Sequence, residues 1–316
     1  MGRAHHRRQG GREVDWLRQI VSGRDRGDSP IRPGTSTLDD LARRLERSVI
    51  ELRTFEPRYT AYSIPKRGGG SRTIHAPDRG TRDLQRAILR RVIGVHRGHP
   101  AVYGFVRGRS AVDHARRHVG SAVVLRLDIE DFFGSTRSEA VRRALAPVWN
   151  AEALEVLLRL TTLDGALPQG APTSPAIANL VNLRLDHRLN GFARRHAARY
   201  SRYADDITFS LPTDDGLAVH ALIRFTDKVV SESGYRMHRQ RKLHVRRSHE
   251  RQLVGGLVVN GAGAPRLPRE RRRWLRAVEH RHATGGSSTM TDAQLRGWRA
   301  YRSMVDGAEE ELSEGR

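Results

Sequence analysis

Three carboxylates set at the ends of short apolar strands constrain this chain more than any other feature. Ser121–Ile129, SAVVLRLDI, has the period-two pattern of a strand. Val123, Leu125, Leu127 and Ile129 fall on one face, and Val124, Arg126 and Asp128 on the other. An acid therefore ends an otherwise apolar strand, with Glu130, Asp131, Phe132 and Phe133 directly after it. Further on, Tyr200–Ala204 and Ile207–Leu211 read as two strands joined at Asp205-Asp206. Adjacent acids at a hairpin tip repel each other, and in isolation a solvated Asp-Asp turn accounts for them equally well. The balance changes once Asp128 is included. A strand carboxylate beside a hairpin that carries two more can hold two Mg²⁺ ions about 4 Å apart, the arrangement that serves in-line phosphoryl transfer. One ion lowers the pKa of an attacking 3′-hydroxyl, and the other neutralises charge on the leaving pyrophosphate. Mn²⁺ is a workable substitute for either.

Charge points the same way. The chain has 316 residues, with 57 Lys+Arg against 35 Asp+Glu and a formal net charge of +22. Lysine stands only at Lys66, Lys228 and Lys242, so arginine supplies the rest. An arginine-favouring codon usage explains the choice of arginine over lysine but not the excess of base over acid. That excess suits a polyanion, most commonly nucleic acid, and the planar guanidinium fork suits phosphate. The length predicts two or three lobes. The absence of cysteine excludes a disulfide scaffold, a thiol nucleophile and a Cys-based zinc site. No run of eighteen apolar residues is present, and the N-terminal MGRAHHRRQGGR leads into no apolar segment, so the expectation is a cytoplasmic protein without a membrane span or secretory signal.

Along the chain, residues 1–36 read as a basic mobile arm with one short helix near Trp16–Val21. Leu38, Leu41, Leu45 and Val49 recur at helical spacing after an acidic first turn. Tyr59–Ile74 reads as a hairpin whose tip, Gly68-Gly69-Gly70, is flanked by Lys66, Arg67 and Arg72. Leu84, Ile88, Leu89 and Val92 mark another helix, and Ala140–Leu160 is helical with a break near Pro147. Pro168-Gln169-Gly170 predicts a turn, followed by a helix from Pro172 to about Leu189. Leu217–Ser233 predicts a helix closed by Gly234. Leu253–Val259 and Ala264–Leu267 predict a hairpin turning at Asn260-Gly261. Arg269–His282 is a basic helix with Trp274, Leu275 and Val278 on its apolar side. Thr291–Met304 is the last helix, with Leu295, Trp298 and Met304 as packing candidates, and the acidic tail after Asp306 is expected to fray.

In order along the chain, these segments resemble the reverse transcriptases, specifically the bacterial retron type, from about Leu38 to Met304. LRLDIEDFF (125–133) resembles the family's motif A, LPQGAPTSPAIANL (167–180) motif B and YADD (203–206) motif C. YSIPKRGGGSRTIHAP (62–77) is similar to the fingers segment. VYGFVRGRSAVDHARRH (102–118) resembles the segment between fingers and palm, and QLVGGLVVNG (252–261) the region before the thumb. YADD alone is a weak signal; the three motifs in sequence are a strong one.

The resemblance implies an α/β (α+β) right-hand polymerase. Fingers would cover 37–120, a palm 121–262 whose antiparallel sheet carries the YADD hairpin, and a thumb 263–316, with the motif B helix 171–189 bordering the fingers. It implies RNA-directed DNA synthesis on a structured non-coding RNA, with dNTPs and an RNA–DNA hybrid as further partners, an effector protein as another, and antiphage defence as the setting. Asp128, Asp205 and Asp206 match the metal-binding catalytic triad. Phe133 matches the bulky residue that leaves no room for a nucleotide 2′-hydroxyl, and Gln169 the residue that contacts the incoming nucleotide. Lys66 and Arg72 match fingers residues that grip its triphosphate. Lys242, in RQRKLHV, is similar to the motif D lysine, whose ammonium can protonate pyrophosphate more readily than a guanidinium; a one-residue shift would put Arg241 there instead. The helix arginines Arg269, Arg272, Arg273 and Arg276 would meet template–primer phosphates without reading sequence, and Tyr203 is a further nucleic-acid-binding residue.

Two segments depart from the retron pattern. His114-Ala115-Arg116-Arg117-His118 stands where Asn-Ala-x-x-His is usual, and Val254-Gly255-Gly256 where Val-Thr-Gly is usual. A related non-retron bacterial reverse transcriptase is therefore an alternative. An RNA-binding scaffold that controls an effector is disfavoured by the three intact acids, and an RNA polymerase by Phe133.

Overall fold

The computed structural model describes residues 34–65, 69–94, 98–238, 243–284 and 290–314. The expected helix near Trp16–Val21, and Lys66, Arg67, Arg241 and Lys242, lie outside the described residues. The chain divides into two compact units. One comprises the residues up to His99 together with Asp131–Arg184, and the other Pro100–Glu130 together with Leu185–Arg316.

The first unit is mainly helical. Helix α1 (Leu38–Leu45) is opened by a capping box in which Thr37 and Asp40 satisfy each other's backbone N–H groups. It buries Leu38, Leu41 and Leu45. The expected run through Val49 does not continue as one helix. Glu46 turns left-handed (φ 54°), and Ser48 with Glu51 builds a second capping box that starts α2 (Val49–Thr54). The local capping chemistry of Ser48 outcompetes the apolar periodicity. Strands β1 (Tyr59–Pro65) and β2 (Ser71–Pro77) form the expected hairpin, paired from Tyr59↔Pro77 to Pro65↔Ser71 and largely exposed. Helix α3 (Arg79–Ile88) runs into a π-helical turn at Leu89–Ile93. Buried Gln85 of α3 donates to Tyr59 Oη (2.6 Å) and to the Leu160 carbonyl (2.9 Å), tying the hairpin and this helix to the segment that carries Leu160. The remaining helices of this unit are numbered after α4 (Ala111–Arg116), which belongs to the second unit. They are α5 (Phe132–Ser135), α6 (Ser138–Leu145), α7 (Ala151–Thr161) and α8 (Ser174–Val181), with α6 and α7 separated around Pro147 as expected.

The single helix expected from Pro172 to Leu189 is two. It breaks at Asn182, whose side-chain amide bonds the Ala178 carbonyl (2.9 Å) and competes with the helical ladder. Helix α9 (Leu183–Arg195) follows.

The second unit is built on a four-stranded antiparallel sheet with order β4-β5-β3-β6, where β3 is Val123–Asp128, β4 Arg199–Tyr203, β5 Asp206–Leu211 and β6 His244–Arg247. One sheet face carries Leu125, Leu127, Ile207, Phe209 and Tyr200, all buried. Helix α10 (Gly216–Glu232) stacks Phe225 on Phe192 of α9 at 3.9 Å and ends at left-handed Gly234. On the other face, Val112 and Ala115 of α4 pack with Val124 and with the hairpin β7 (Leu253–Val254) and β8 (Leu257–Val258).

That hairpin turns at Gly255-Gly256 and not at Asn260-Gly261. Both central residues have positive φ (57° and 81°), which a tight primed turn requires and two glycines accept without strain. Asn260 is instead a loop clamp, accepting from the Gln252 N–H (2.7 Å) and donating to the Glu250 carbonyl (2.7 Å). The expected pairing with 264–267 survives as a bridge between Val258 and Arg266.

Helices α11 (Arg269–Ala283) and α12 (Asp292–Glu314) share a small core of Leu275, Val278 and Leu295, with Trp274 and Trp298 edge to face at 5.2 Å. Met304 is not a packing residue: it is 43% exposed, and its neighbour Val305 is buried instead. The tail after Asp306 continues the helix to Glu314. Among the described residues no helix is long and apolar enough to cross a membrane.

Candidate active site

Asp128 is the last residue of β3 and Asp206 the first of β5, and the two are direct cross-strand partners. Alternation puts both side chains on the same sheet face as Arg126 and Thr208. The Ile129 N–H donates to the Asp205 carbonyl (3.0 Å), so the hairpin tip is fastened to the strand that carries Asp128. From the other side, the His238 N–H donates to the Asp128 carbonyl (2.8 Å) and the Glu130 N–H to the Arg236 carbonyl (2.9 Å). Asp128, far away in sequence, is thus brought beside the Asp205-Asp206 turn by backbone pairing alone.

The turn that holds them is tight. Ala204 is left-handed (φ 57°). A Cβ at Gly104 would come within 2.5 Å of the Ala204 nitrogen, so only glycine permits the 101–104 segment to lie against YADD. That segment also covers the β4 edge, with Tyr103 N–H on the Arg202 carbonyl (2.9 Å) and Arg202 N–H on the Ala101 carbonyl (3.0 Å). Behind the turn, fully buried Arg202 makes a bidentate bond to fully buried Asp186 (2.7 Å at both oxygens) and donates to the Ala204 carbonyl (3.0 Å). Tyr200 Oη donates to the same Asp186 (2.6 Å). Burial, and then the Asp186 charge, hold the Tyr200 hydroxyl well above the ordinary phenol range.

The carboxylate face has a polar layer of its own. Arg126 Nη2 pairs with Asp206 Oδ2, and its Nε lies 3.4 Å from Oδ1. His114 Nε2 meets Ser201 Oγ at 2.8 Å, and His118 bridges Ser201 (2.6 Å) and Ser210 (2.8 Å). The His114 ring stacks on Tyr203 of YADD at 5.6 Å. His114 Nδ1 is buried without a hydrogen-bond partner among the described residues. An orphaned lone pair is cheaper than an orphaned N–H. The bonding pattern therefore assigns the proton to Nε2, donating to Ser201, whose hydroxyl donates on to His118 Nε2. Burial first, then the nearby Arg126 and Arg117 charges, push His114 down to about 3; burial and His114 push His118 well below its ordinary value. Both rings are neutral at pH 7.

Three carboxylates are the donor chemistry that a hard divalent cation takes. Yet among the described residues no group of three His, Cys, Asp or Glu side chains is arranged to hold a metal ion. Asp206 is turned toward Arg126. Asp128 and Asp206 lie side by side in register; a counter-charged arginine occupies one of the two carboxylates.

The other expected site residues are placed as follows. Tyr203 and the three acids belong to the second unit. So do Arg269, Arg272, Arg273 and Arg276, which are all exposed on α11. Phe133 belongs to the first unit, half-buried on α5 with its ring 5.5 Å from that of Phe132. Gln169, also of the first unit, accepts the His75 N–H at its backbone carbonyl (2.7 Å). Gly170 (φ 131°) follows, where a Cβ would lie 2.6 Å from the His75 carbonyl, so the motif B turn is laid on β2. Arg72 is exposed on β2 opposite Ile64. Lys66 and Lys242 lie outside the described residues.

Sequence reasoning missed three participants. Alternation puts Arg126 on the Asp128 face, but nothing local in the sequence names its partner. His114 stands out in the sequence only as a departure from the family pattern, although its spacing to His118 is one helical turn. Asp186 carried no signal, because its partner Arg202 lies on a different element.

Residues 64–255 match the family described as reverse transcriptase (RNA-dependent DNA polymerase). The chain is 39% identical to the retron Mx65 reverse transcriptase of Myxococcus xanthus over 303 residues, covering 87% of this chain and 69% of that protein. It is 36% identical to the Mx162 retron enzyme of the same organism, covering 87% of this chain and 66% of that one. The retron Ec86 reverse transcriptase of Escherichia coli is 30% identical, with 87% and 86% covered. The chain thus spans about two thirds of the Myxococcus relatives and most of the Escherichia one.

Proposed function

The chain belongs to the reverse transcriptases, RNA-directed DNA polymerases of the retron kind with the right-hand polymerase fold, and from that premise we propose that it copies a structured non-coding RNA into cDNA by two-metal nucleotidyl transfer. A primer 3′-oxygen attacks the α-phosphorus of a dNTP paired to RNA; the new P–O bond forms as the bond to pyrophosphate breaks. Asp128, Asp205 and Asp206 would hold the two Mg²⁺ ions, or Mn²⁺ in their place, which supply a lowered pKa at the 3′-hydroxyl and charge neutralisation at the phosphates. Phe133 blocks a 2′-hydroxyl, Gln169 contacts the incoming nucleotide, and Lys66 and Arg72 grip its triphosphate. Lys242 donates a proton to pyrophosphate. Tyr203 binds nucleic acid, and Arg269, Arg272, Arg273 and Arg276 meet the RNA–DNA hybrid backbone.

Functionally, this reading assigns fingers to 37–120, palm to 121–262 and thumb to 263–316. It places the enzyme in the bacterial cytoplasm, in antiphage defence, with an effector protein as a further partner. The observation that carries it is the pairing of Asp128 with Asp206 while the Asp205 carbonyl accepts the Ile129 N–H. The test is Mg²⁺-dependent dNTP incorporation on a primed RNA template. Asp205→Asn is expected to lower incorporation by on the order of 10²–10³-fold, the range seen when one transition-state stabiliser is removed. Undiminished incorporation would overturn the assignment.

A further inference from the structure

Arg126 lies two residues before Asp128 on the same face of β3, with Thr208 as its direct partner on β5. Asp206 is therefore its diagonal cross-strand neighbour, within reach of a long side chain. The guanidinium lies fork-on against the carboxylate, Nη2 on Oδ2 and Nε near Oδ1. The pair is sheltered but not sealed, with side chains 29% and 20% exposed. A cavity of about 300 Å³ opens beside it, lined by Val124, Arg126, His244, Arg246, Arg251 and Leu253. Arg246 and Arg251 are tied back to Glu250 (2.5 Å) and Glu270 (2.7 Å), which leaves Arg126 room to swing into the space between them.

We propose that Arg126 is the resident counterion of the carboxylate site: a positioning residue that holds Asp206 until a divalent cation displaces it, and so sets how tightly the site takes that cation. This rests on the reading of Asp128, Asp205 and Asp206 as the metal-binding acids. A cation arriving beside Asp128 meets a carboxylate already neutralised, and must break a bidentate, charge-assisted pair to recruit it. The displaced guanidinium then has the cavity to enter, away from the incoming charge.

Mn²⁺ binding to the full chain, followed by electron paramagnetic resonance without nucleic acid or nucleotide, tests this directly. Signal that persists in Asp128→Asn is subtracted as binding elsewhere. Arg126→Gln is expected to bind Mn²⁺ about tenfold more tightly than the parent, a modest return for removing a unit positive charge at contact distance. Arg126→Lys, which keeps the charge but loses the fork, is expected to fall between the two, and it carries the test if the glutamine variant does not fold. Affinity that is unchanged or weaker in these variants overturns the proposal, and so does a site that stays silent in every variant. A detectable Asp128-dependent site only in Arg126→Gln supports it. The incorporation assay with Asp205→Asn stands apart, so loss of the polymerase reading and loss of the Arg126 role give different results.

Discussion

Two aspartate–arginine pairs flank the YADD hairpin on opposite faces of the same sheet, and they differ in one physical respect. Arg202 and Asp186 are both fully buried, joined by two 2.7 Å bonds, with Tyr200 and the Ala204 carbonyl completing the network. Arg126 and Asp206 keep part of their surface in water, and Arg126 lines a cavity. A buried pair has already lost its hydration, so breaking it strands a charge in a medium that cannot solvate it. A half-wet pair can exchange one partner for water or for a cation at modest cost. Burial, more than bond geometry, thus separates a fixed strut from an exchangeable contact. The hairpin is held from behind by the strut and presents the exchangeable pair at the face that carries Asp128.

The largest effect expected from this contrast is at Asp186. Asp186→Ala leaves the Arg202 guanidinium buried without its carboxylate and removes the acceptor of Tyr200. The expected loss is about 3–5 kcal/mol of folding stability, read as a lowered denaturant midpoint. A loss below about 1 kcal/mol would mean that the pair is not the strut described.

Much of this site was legible in the sequence, and the reason is period. The alternation in Ser121–Ile129 put Arg126 and Asp128 on one face, and the observed β3 keeps that division. The YADD hairpin followed from two short apolar runs around adjacent acids. Register was not legible, because nothing local states which residue of β5 lies opposite Asp128; the Arg126–Asp206 contact therefore stayed hidden. Asp186 and Arg202 meet only through the packing of α9 on the sheet. Where local chemistry competed with periodicity, the chemistry prevailed: Ser48 started a new helix, Asn182 divided another, and Gly255-Gly256 folded the strand expected over Leu253–Val259 back on itself.

The two buried histidines sharpen the comparison by pH. Folded His114 titrates at about 3 and His118 well below its ordinary value, against a usual 6.5. As pH falls below about 6.5 the unfolded chain takes up protons that the folded chain refuses. Their contribution to stability is therefore intact above that pH and is lost progressively as pH falls below it. Between pH 7 and 5 the His114 share amounts to about 2 kcal/mol. His114→Asn, which installs the residue usual in the retron pattern, is expected to remove one histidine's share of that slope in denaturant unfolding at both pH values. An identical slope in parent and variant would show that His114 is protonated in the folded chain and that the polar layer is open to water.

The smallest stability effect is expected at Asp206, and its smallness is informative. Asp206→Asn keeps the shape of the side chain and a hydrogen-bond acceptor for Arg126, whose guanidinium can also turn toward the cavity and water. The expected cost to folding is about 0–1 kcal/mol, the range of accessible ion pairs, while incorporation of dNTPs falls sharply. Stability and activity would then separate at Asp206 and fall together at Asp186, where the turn beneath the acids depends on the buried pair. If Asp206→Asn instead destabilised the chain as much as Asp186→Ala, both pairs would be struts. Arg126 would then be too firmly held to yield to a cation, and the difference in exposure between the two faces would carry no functional meaning.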